Sequence, residues 1–178
     1  MAFVELIENE EFAAPDREVL GYTPNFSRLF ARRPAAYAAW KQLNGSIKET
    51  MDLRRYELAT VAAAGELKSS YCSLAHGKVL FDRFGFTPGD AVSDEERAVQ
   101  ELARKVAADA TSVTQEDVDR LRAFGLTDDE IFDVVLAAAA RSFFSKTLDA
   151  LAIAPDAAFR ELPDEVREPL TVGRPIAE

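Results

Sequence analysis

The sequence predicts an all-α fold, and three features of its 178 residues support that prediction. Apolar residues recur at three- and four-residue spacing, as on a helix with one buried face. Three serine or threonine residues stand three positions before an acidic residue, as in a helix capping box. Glycine, which disfavours helix, occurs only eight times, and no run alternates as a β-strand would. We therefore expect seven or eight helices.

The first fifty residues predict an arm followed by two helices. Residues 1–23 show a weak pattern, with a short helix after Pro15. Thr23 and Pro24 then suit the cap and the first position of a second helix, and Pro34 suits the start of a third. The buried stripe of that third helix is predicted to contain Tyr37, Trp40 or Lys41, Leu43 or Asn44, and Ile47.

Two antiparallel helices are predicted next, separated by a break near Leu67 and Lys68. The first begins at Asp52, and the second runs from about Ser69 to Arg83, where the sequence "FGFTPGD" ends it. The inward face of the first helix is predicted to contain Leu53, Tyr56, Thr60, Val61 and Ala64.

The second half of the chain contains the three capping-box patterns. They are Ser93 with Glu96, Thr114 with Asp117, and Thr127 with Glu130. The helix after Thr127 is apolar on most sides, so we expect it to be central. Its residues Phe143, Phe144, Thr147 and Leu148 are expected to pack against the helix that follows Ser69.

We expect one domain over residues 1–178, with an N-terminal arm at 1–23 and a C-terminal extension at 155–178. The extension contains four prolines and is predicted to be mostly irregular.

Charge and composition exclude several classes of function. The chain has 21 basic and 31 acidic residues, a net charge of −10, which repels nucleic acids and anionic membranes. A single cysteine cannot form an internal disulfide. The acidic N-terminus does not resemble a signal peptide, and no apolar run approaches the roughly 20 residues that span a bilayer. We expect a cytoplasmic protein that binds neither nucleic acid nor membrane.

The only cysteine, Cys72, and the only histidine, His76, lie four residues apart. On a helix this spacing places both side chains on one face. Ser69 lies on the same face at the expected N-cap, so Cys72 would lie near free backbone amides and the positive end of the helix dipole. These groups favour thiolate over thiol, and a nearby imidazole can accept the proton.

Glu57 is the one acidic residue on the inward face of the preceding helix. If the two helices fold back at the break, Glu57 and His76 lie about 13 and 10 Å from the turn, at a rise of about 1.5 Å per residue. A buried carboxylate needs a partner, and His76 is the nearest candidate. Glu57 would then orient the ring and increase its basicity.

Simpler roles are also open for these residues. Cys72 can be a small apolar core residue, and His76 an ordinary core or surface residue. Glu57 can be solvated, or paired with Arg54 or Arg55. Tyr71 can border a pocket or lie at a subunit interface. Too few histidines and cysteines are present for a zinc site, and no glycine-rich phosphate loop occurs, so we expect neither metal nor cofactor.

The run from "LRRYELATVAAA" to "SSYCSLAHGKVL" resembles the alkylhydroperoxidase AhpD-like family, within the carboxymuconolactone decarboxylase superfamily. The family pattern is a glutamate, eleven residues, and then C-x-x-C-x-x-x-H, and Glu57, Cys72 and His76 match it in register. The flanking runs "PNFSRLFARRP" and "FFSKTLDALAIAPDAAF" are similar to the peroxidase-related branch. The resemblance implies an all-helical protomer that forms homo-oligomers.

The resemblance also implies a redox site. The second cysteine, here Cys72, attacks peroxide or a donor disulfide, the first cysteine resolves the product, and the histidine and glutamate form a proton relay. In this chain the first cysteine is replaced by Ser69. A hydroxyl cannot close a disulfide, so oxidised Cys72 would need an external thiol. Ser69 would donate a hydrogen bond to the thiolate or act only as a helix cap.

Three functions therefore remain open. The first is a one-cysteine thiol peroxidase, with Cys72 as nucleophile, a Glu57–His76 proton relay and Ser69 beside the sulfur. The second is an acid–base enzyme of the carboxymuconolactone decarboxylase type, in which His76 and Glu57 act and Cys72 lines the site. The third is a helical oligomer that has lost the dithiol cycle and no longer catalyses a reaction.

Overall fold

The structure, a computed structural model, describes residues 2–178 and confirms the predicted all-α fold. These residues form nine α-helices, two short 3-10 helices and no β-strand. The α-helices are α1 (Glu10–Leu20), α2 (Asn25–Phe30), α3 (Pro34–Thr50), α4 (Leu53–Glu66), α5 (Ser70–Phe84), α6 (Asp94–Asp109), α7 (Gln115–Ala123), α8 (Asp128–Ala150) and α9 (Asp164–Leu170). The 3-10 helices are Ala110–Ser112 and Ala157–Glu161. Over the same part of the chain, no helix is both long and apolar enough to cross a membrane.

The helices exceed the predicted number because both ends of the chain are more helical than expected. Helix α1 begins at Glu10, where the Asn9 side chain accepts a hydrogen bond from the backbone N–H of Phe12, and it continues through Pro15. The prediction of a helix only after Pro15 was therefore wrong. Helix α9 lies inside the extension that was predicted to be mostly irregular, and Pro24 caps α2 instead of occupying its first position.

The capping boxes start the helices of the second half as predicted. At α6 the Ser93 hydroxyl accepts from the backbone of Glu96 at 3.1 Å, and the carboxylate accepts in return from the Ser93 backbone at 2.9 Å. Thr127 and Glu130 form the same pair of bonds at α8. The Asp117 carboxylate accepts from the backbone of Thr114 at 2.8 Å at α7. Each pairing satisfies backbone donors that a helix start leaves free.

The core consists of two apolar clusters that meet along α4, α5 and α8. One lies among α4, α6 and α8 and includes Tyr56. The other surrounds α5, includes Cys72, and is covered by α2 and the C-terminal extension. Helix α8 borders both clusters, which confirms its predicted central position. Glu57 of α4, Cys72 of α5 and Arg141 of α8 are each at most 2 % exposed.

The C-terminal extension fits closely over α5 at two glycines. A Cβ atom at Gly77 would lie 2.3 Å from the Leu170 side chain, so glycine lets α9 approach. A Cβ atom at Gly173 would lie 1.9 Å from the carbonyl oxygen of Lys68. The Gly173 backbone N–H donates to Ser70 Oγ at 2.7 Å. The extension therefore covers the start of α5, where Cys72 lies.

Of the two alternatives for the stripe of α3, Leu43 is 50 % exposed and Asn44 faces inward. Two aromatic residues have surroundings that the sequence did not predict. Phe143 is 49 % exposed, whereas Phe144 is buried as expected. Tyr71 is neither at a pocket mouth nor on an exposed face, because it is buried with its hydroxyl hydrogen bonded to Asp156.

Candidate functional site

Helices α4 and α5 form the predicted antiparallel hairpin. Asp52 caps α4 by accepting from the backbone of Arg55 at 2.9 Å. The chain reverses at Lys68, which has a left-handed backbone with φ of 54°, a conformation that interrupts a right-handed helix. Glu57 on α4 and the face of α5 that contains Cys72 and His76 are thereby brought opposite each other.

Glu57 and His76 are directly hydrogen bonded. The distance between Glu57 Oε2 and His76 Nδ1 is 2.5 Å. Glu57 is fully buried, while 14 % of the His76 side chain is exposed. A carboxylate only accepts hydrogen bonds, so Nδ1 carries the proton and Nε2 presents its lone pair. The pairing expected from the helix heights is present in the structure.

The surroundings give these two groups different charges at neutral pH. Burial raises the pKa of Glu57, but attraction to His76, Lys48 and Arg141 together lowers it below the ordinary value. Burial and the positive charge of Arg141 lower the pKa of His76 to about 4, although Glu57 opposes this. Glu57 is therefore ionised and His76 is neutral.

The other partners proposed for Glu57 are engaged elsewhere. Arg54 pairs with Glu96, and Arg55 pairs with Glu95 and Glu130. A third basic residue, Lys48 of α3, approaches Glu57 instead, with Nζ 3.5 Å from Oε1. The Lys48 side chain is 40 % exposed, so it connects the buried carboxylate to the surface.

Cys72 lies near this pair but its polar partner is a different residue. Its side chain is 1 % exposed. Arg141 Nη1 on α8 donates to Cys72 Sγ at 3.6 Å. Within residues 2–178 the sulfur forms no hydrogen bond with His76 or with Ser69, so the predicted contacts of the sulfur with these two side chains are absent. Arg141 takes their place.

Arg141 is the site residue that the sequence analysis did not identify. It is 2 % exposed, and Nη2 donates to the Tyr56 hydroxyl at 3.4 Å, which in turn donates to Asn44 Oδ1 at 2.6 Å. One sequence signal was available: Arg141 interrupts the otherwise apolar run "VVLAAAARSFF" on a helix predicted to be central. Charged residues at fully buried positions need a partner, so such an interruption indicates a buried polar contact.

Ser69 occupies the expected N-cap of α5 but does not act as a side-chain cap. Its hydroxyl is buried and has no hydrogen-bond partner among the described residues. It faces the carboxyl group of Asp149, whose pKa burial raises above the ordinary value. The Ser69 hydroxyl therefore neither supports the thiolate nor caps the helix in this structure.

Cys72 is 1 % exposed, and it lines neither of two surface grooves of the protomer. A groove of about 500 Å³ is lined by Arg160, Arg167, Thr171 and Ile176, on the C-terminal extension. A second, smaller groove lies beside Arg55 and contains none of the site residues. A reactant must therefore be small, or side chains over Cys72 must move. No group of three or more His, Cys, Asp or Glu side chains in residues 2–178 is placed to hold a metal ion.

Comparisons with known proteins establish the fold. No protein-family model and no curated sequence matches the chain. An uncharacterised peroxidase-related protein with an alkylhydroperoxidase AhpD core, from Ralstonia eutropha JMP134, has a TM-score of 0.80 and 18 % identity, over 89 % of this chain and 94 % of that one. A peroxidase-related protein from Silicibacter sp. TM1040 has a TM-score of 0.73 at 18 % identity, over 90 % and 94 % of the two chains.

A third solved structure with this fold has a named reaction. It is a cysteine-to-alanine variant of the debrominase Bmp8 in complex with 2,3,4-tribromopyrrole, with a TM-score of 0.75 and 15 % identity over 90 % of this chain and 96 % of that one. The AhpD-like fold expected from the sequence resemblance is thus confirmed. Since one fold hosts several reactions, the reaction of this chain has to be argued from its site.

Proposed function

We propose that this protein is a thiol redox enzyme of the alkylhydroperoxidase type, with Cys72 as the nucleophile and Glu57 and His76 as the proton relay. The observation that carries the proposal is the buried Glu57–His76 hydrogen bond, one helical turn from the only cysteine. A fully buried carboxylate held against a neutral imidazole is costly to build for stability alone, and it is a common arrangement for proton transfer. The peroxidase-related proteins of the same fold support the choice of redox chemistry.

The first half-reaction oxidises Cys72 and reduces a small hydroperoxide. The thiol loses its proton, and the neutral ring of His76, with a free lone pair on Nε2, conducts that proton towards solvent. The thiolate attacks one peroxide oxygen, so that an S–O bond forms and the O–O bond breaks. The leaving alkoxide takes up a proton and departs as an alcohol, and Cys72 becomes a sulfenic acid.

The second half-reaction needs a thiol from outside the chain, because Ser69 cannot form a disulfide. One external thiol condenses with the sulfenic acid to give a mixed disulfide and water. A second external thiol attacks that disulfide, releases the oxidised reductant and restores the Cys72 thiol. Low-molecular-weight thiols of a reducing compartment supply these electrons, so we place the protein in the cytoplasm. A donor disulfide is the alternative substrate for the same nucleophile.

The test is oxidation of Cys72 by hydrogen peroxide or an organic hydroperoxide, followed by intact and peptide mass spectrometry. We expect addition of one oxygen atom to the peptide with Cys72, and catalytic peroxide loss when excess thiol is present. Peptide mapping separates this product from oxidation of the two methionines. His76→Asn should slow the oxidation, whereas Tyr71→Phe, on the adjacent residue, should not. A Cys72 that reacts no faster than free cysteine would refute the proposal.

A second candidate function is supported by the absent contact between His76 and the sulfur. If Glu57 and His76 act on a small lactone acid, as in carboxymuconolactone decarboxylases, Cys72 only lines the site. Turnover of such an acid by Cys72→Ser at the wild-type rate would establish this function. Loss of turnover in Cys72→Ser would instead indicate that the reaction depends on the Cys72 thiol. If neither chemistry is found, the remaining candidate is a helical oligomer without catalysis.

We also propose that the protein forms homo-oligomers through the outer face of α8. Phe132 and Phe143 are more than 40 % exposed, and the half-buried Leu136 lies four and seven residues from them, which places the three on one side of the helix. Large exposed apolar groups on one face are typical of subunit contacts. Light scattering should show that the oligomer dissociates in Phe143→Glu. Its mass should not change in the control Phe124→Ser, at the C-terminal end of α7. A wild-type protein that is monomeric at micromolar concentration would contradict this.

A further inference from the structure

Arg141 is a buried cation with no carboxylate within ion-pair distance among residues 2–178. Its two hydrogen bonds go to Cys72 Sγ and to the Tyr56 hydroxyl, and its Nε atom has no partner. An uncompensated buried charge costs several kcal/mol, and such groups normally have a counter-charge. Tyr56 already donates its hydroxyl proton to Asn44. Cys72 is the contacted group that can become an anion without breaking another bond.

The charges around Cys72 also leave one positive charge in excess. Glu57 contributes one negative charge, which attracts both Lys48 and Arg141, and these two residues contribute two positive charges. His76 is neutral, because burial and Arg141 lower its pKa to about 4. Arg141 remains charged, because a guanidinium group does not lose its proton at neutral pH even when it is buried. A thiolate at Cys72 brings the total to zero.

The other titratable groups near Cys72 do not supply this charge. Tyr37 of α3 and Tyr71 of α5 are hydrogen bonded to Asp16 and Asp156, and burial raises the pKa of both phenols, so both are neutral at pH 7. Asp149 lies two turns further along α8 and faces Ser69. Apolar residues of α2 and of the C-terminal extension pack on this cluster, and the buried polar residues there, Ser27 and Asp156, are hydrogen bonded to Asp16 and to Tyr71.

We propose that Arg141 is a positioning residue that holds Cys72 as a thiolate at neutral pH. The use made of that thiolate rests on the proposed function, but the ionisation itself does not. Two aromatic rings keep the guanidinium in place, with its Cζ atom 5.8 Å from the centre of the Trp40 ring and 5.6 Å from that of Phe144. Arg141 thus supplies the stabilisation that the sequence analysis assigned to Ser69 and His76. Glu57 and His76 then only have to transfer protons to and from the oxidant and its leaving group.

The test is a pH titration of the ultraviolet absorbance of the thiolate, with the Cys72→Ser spectrum subtracted to remove the tyrosines. This readout does not require a reagent to reach the buried sulfur, and the single cysteine makes it unambiguous. In wild type we expect the midpoint below pH 7, at least about 1.5 pH units below the value of about 8.5 for free cysteine. Arg141→Met should raise it by about one to two pH units, as expected for loss of a charged hydrogen bond. Arg141→Lys should restore part of the difference.

Arg54→Met is the matched control. Arg54 is a partly buried arginine that forms an ion pair with Glu96, and it does not contact the site. Its midpoint should equal that of wild type. Circular dichroism checks that each variant is folded. If Arg141→Met fails to fold, the wild-type midpoint still decides, because a midpoint at or above pH 7 overturns the inference.

The outcome also separates this inference from the proposed function. A raised midpoint in Arg141→Met, together with no oxidation of wild-type Cys72 by peroxide, would support the inference and reject the peroxidase. Rapid oxidation of wild type with equal midpoints in wild type and Arg141→Met would support the peroxidase and reject the role of Arg141. If both the role of Arg141 and the peroxidase function are correct, Arg141→Met should slow Cys72 oxidation at pH 7 by about tenfold to a hundredfold.

Discussion

Two buried carboxylates in this protein, Glu57 and Asp156, have the same chemical group and opposite surroundings. Glu57 lies on α4 and is approached by His76, Lys48 and Arg141, which together lower its pKa despite burial. Asp156 begins the C-terminal extension and is 5 % exposed. Burial raises its pKa above the ordinary value, and the hydrogen bonds that it accepts oppose this only in part.

The difference lies in the charge of the partners. Asp156 accepts from the hydroxyls of Tyr71 and Tyr22 and from the backbone N–H of Asn25, at 3.3 Å for Tyr22 and 2.7 Å for Asn25. These neutral donors tie the extension to α2 and α5 without supplying a counter-charge. The groups around Glu57 supply both charge and a proton carrier. We therefore propose that Glu57 takes part in proton transfer and that Asp156 holds the C-terminal extension in place.

The strongest test of this comparison is Glu57→Gln measured beside Asp156→Asn. Removal of the Glu57 charge leaves the His76 ring without the carboxylate that orients and supports it. We expect the rate of Cys72 oxidation by peroxide to fall about a hundredfold or more in Glu57→Gln, within the range found for general acid–base groups. The rate in Asp156→Asn should stay at the wild-type value. Equal losses of oxidation rate in the two variants would contradict the proposed difference between Glu57 and Asp156.

The stability lost on acidification should come in part from His76, the partner of Glu57, whereas the raised pKa of Asp156 acts with the opposite sign. The pKa of His76 falls from 6.5 in the unfolded chain to about 4 in the folded protein. Stability from a lowered pKa is fully present above 6.5 and is lost as the pH decreases towards about 4, because the unfolded chain binds the proton first. At 1.36 kcal/mol per pH unit the loss reaches about 3 kcal/mol. Denaturant unfolding at pH 7 and pH 4 should show a smaller loss in His76→Asn, and identical losses would refute the assignment.

Asp156→Asn should affect stability instead of the reaction. Three donors converge on the Asp156 carboxylate, and an amide in its place would turn an N–H group towards at least one of them. A buried donor left without an acceptor costs about 1 to 3 kcal/mol. Urea unfolding at pH 7 should show a decrease of this size. A variant as stable as wild type would mean that the extension is held by its apolar contacts.

The smallest effect is expected at Ser69, a third buried polar group that has neither a cation nor a hydrogen-bond donor beside it. Replacement of an N-cap serine by alanine normally costs about 1 kcal/mol. The Ser69 hydroxyl caps no backbone group and faces only the Asp149 carboxyl group, so Ser69→Ala should decrease the free energy of unfolding by less than about 1 kcal/mol. It should also leave the Cys72 oxidation rate unchanged. A clear decrease in either the free energy of unfolding or the oxidation rate would mean that the Ser69 hydroxyl contributes to the site.

Short-range geometry was the part of the structure accessible to sequence reasoning. The capping boxes at Ser93, Thr114 and Thr127 fixed three helix starts, because each uses contacts only three residues apart. The pairing of Glu57 with His76 followed from helix rise on either side of one short break. The helix through Pro15 was missed, because proline inside a helix is disfavoured locally and the capping by Asn9 outweighs it here.

The sequence alone determined the all-helical class, the central helices from α3 to α8, and the pairing of Glu57 with the face of α5 that contains His76, since regular helices transmit position along the chain. Only the tertiary structure decided which groups touch the sulfur and which carboxylate is tied to neutral donors. Arg141 contacts Cys72 across 69 residues of sequence, and Tyr71 contacts Asp156 across 85. Contacts between helices so distant in sequence depend on how whole apolar faces pack, and that packing is not encoded in any single spacing.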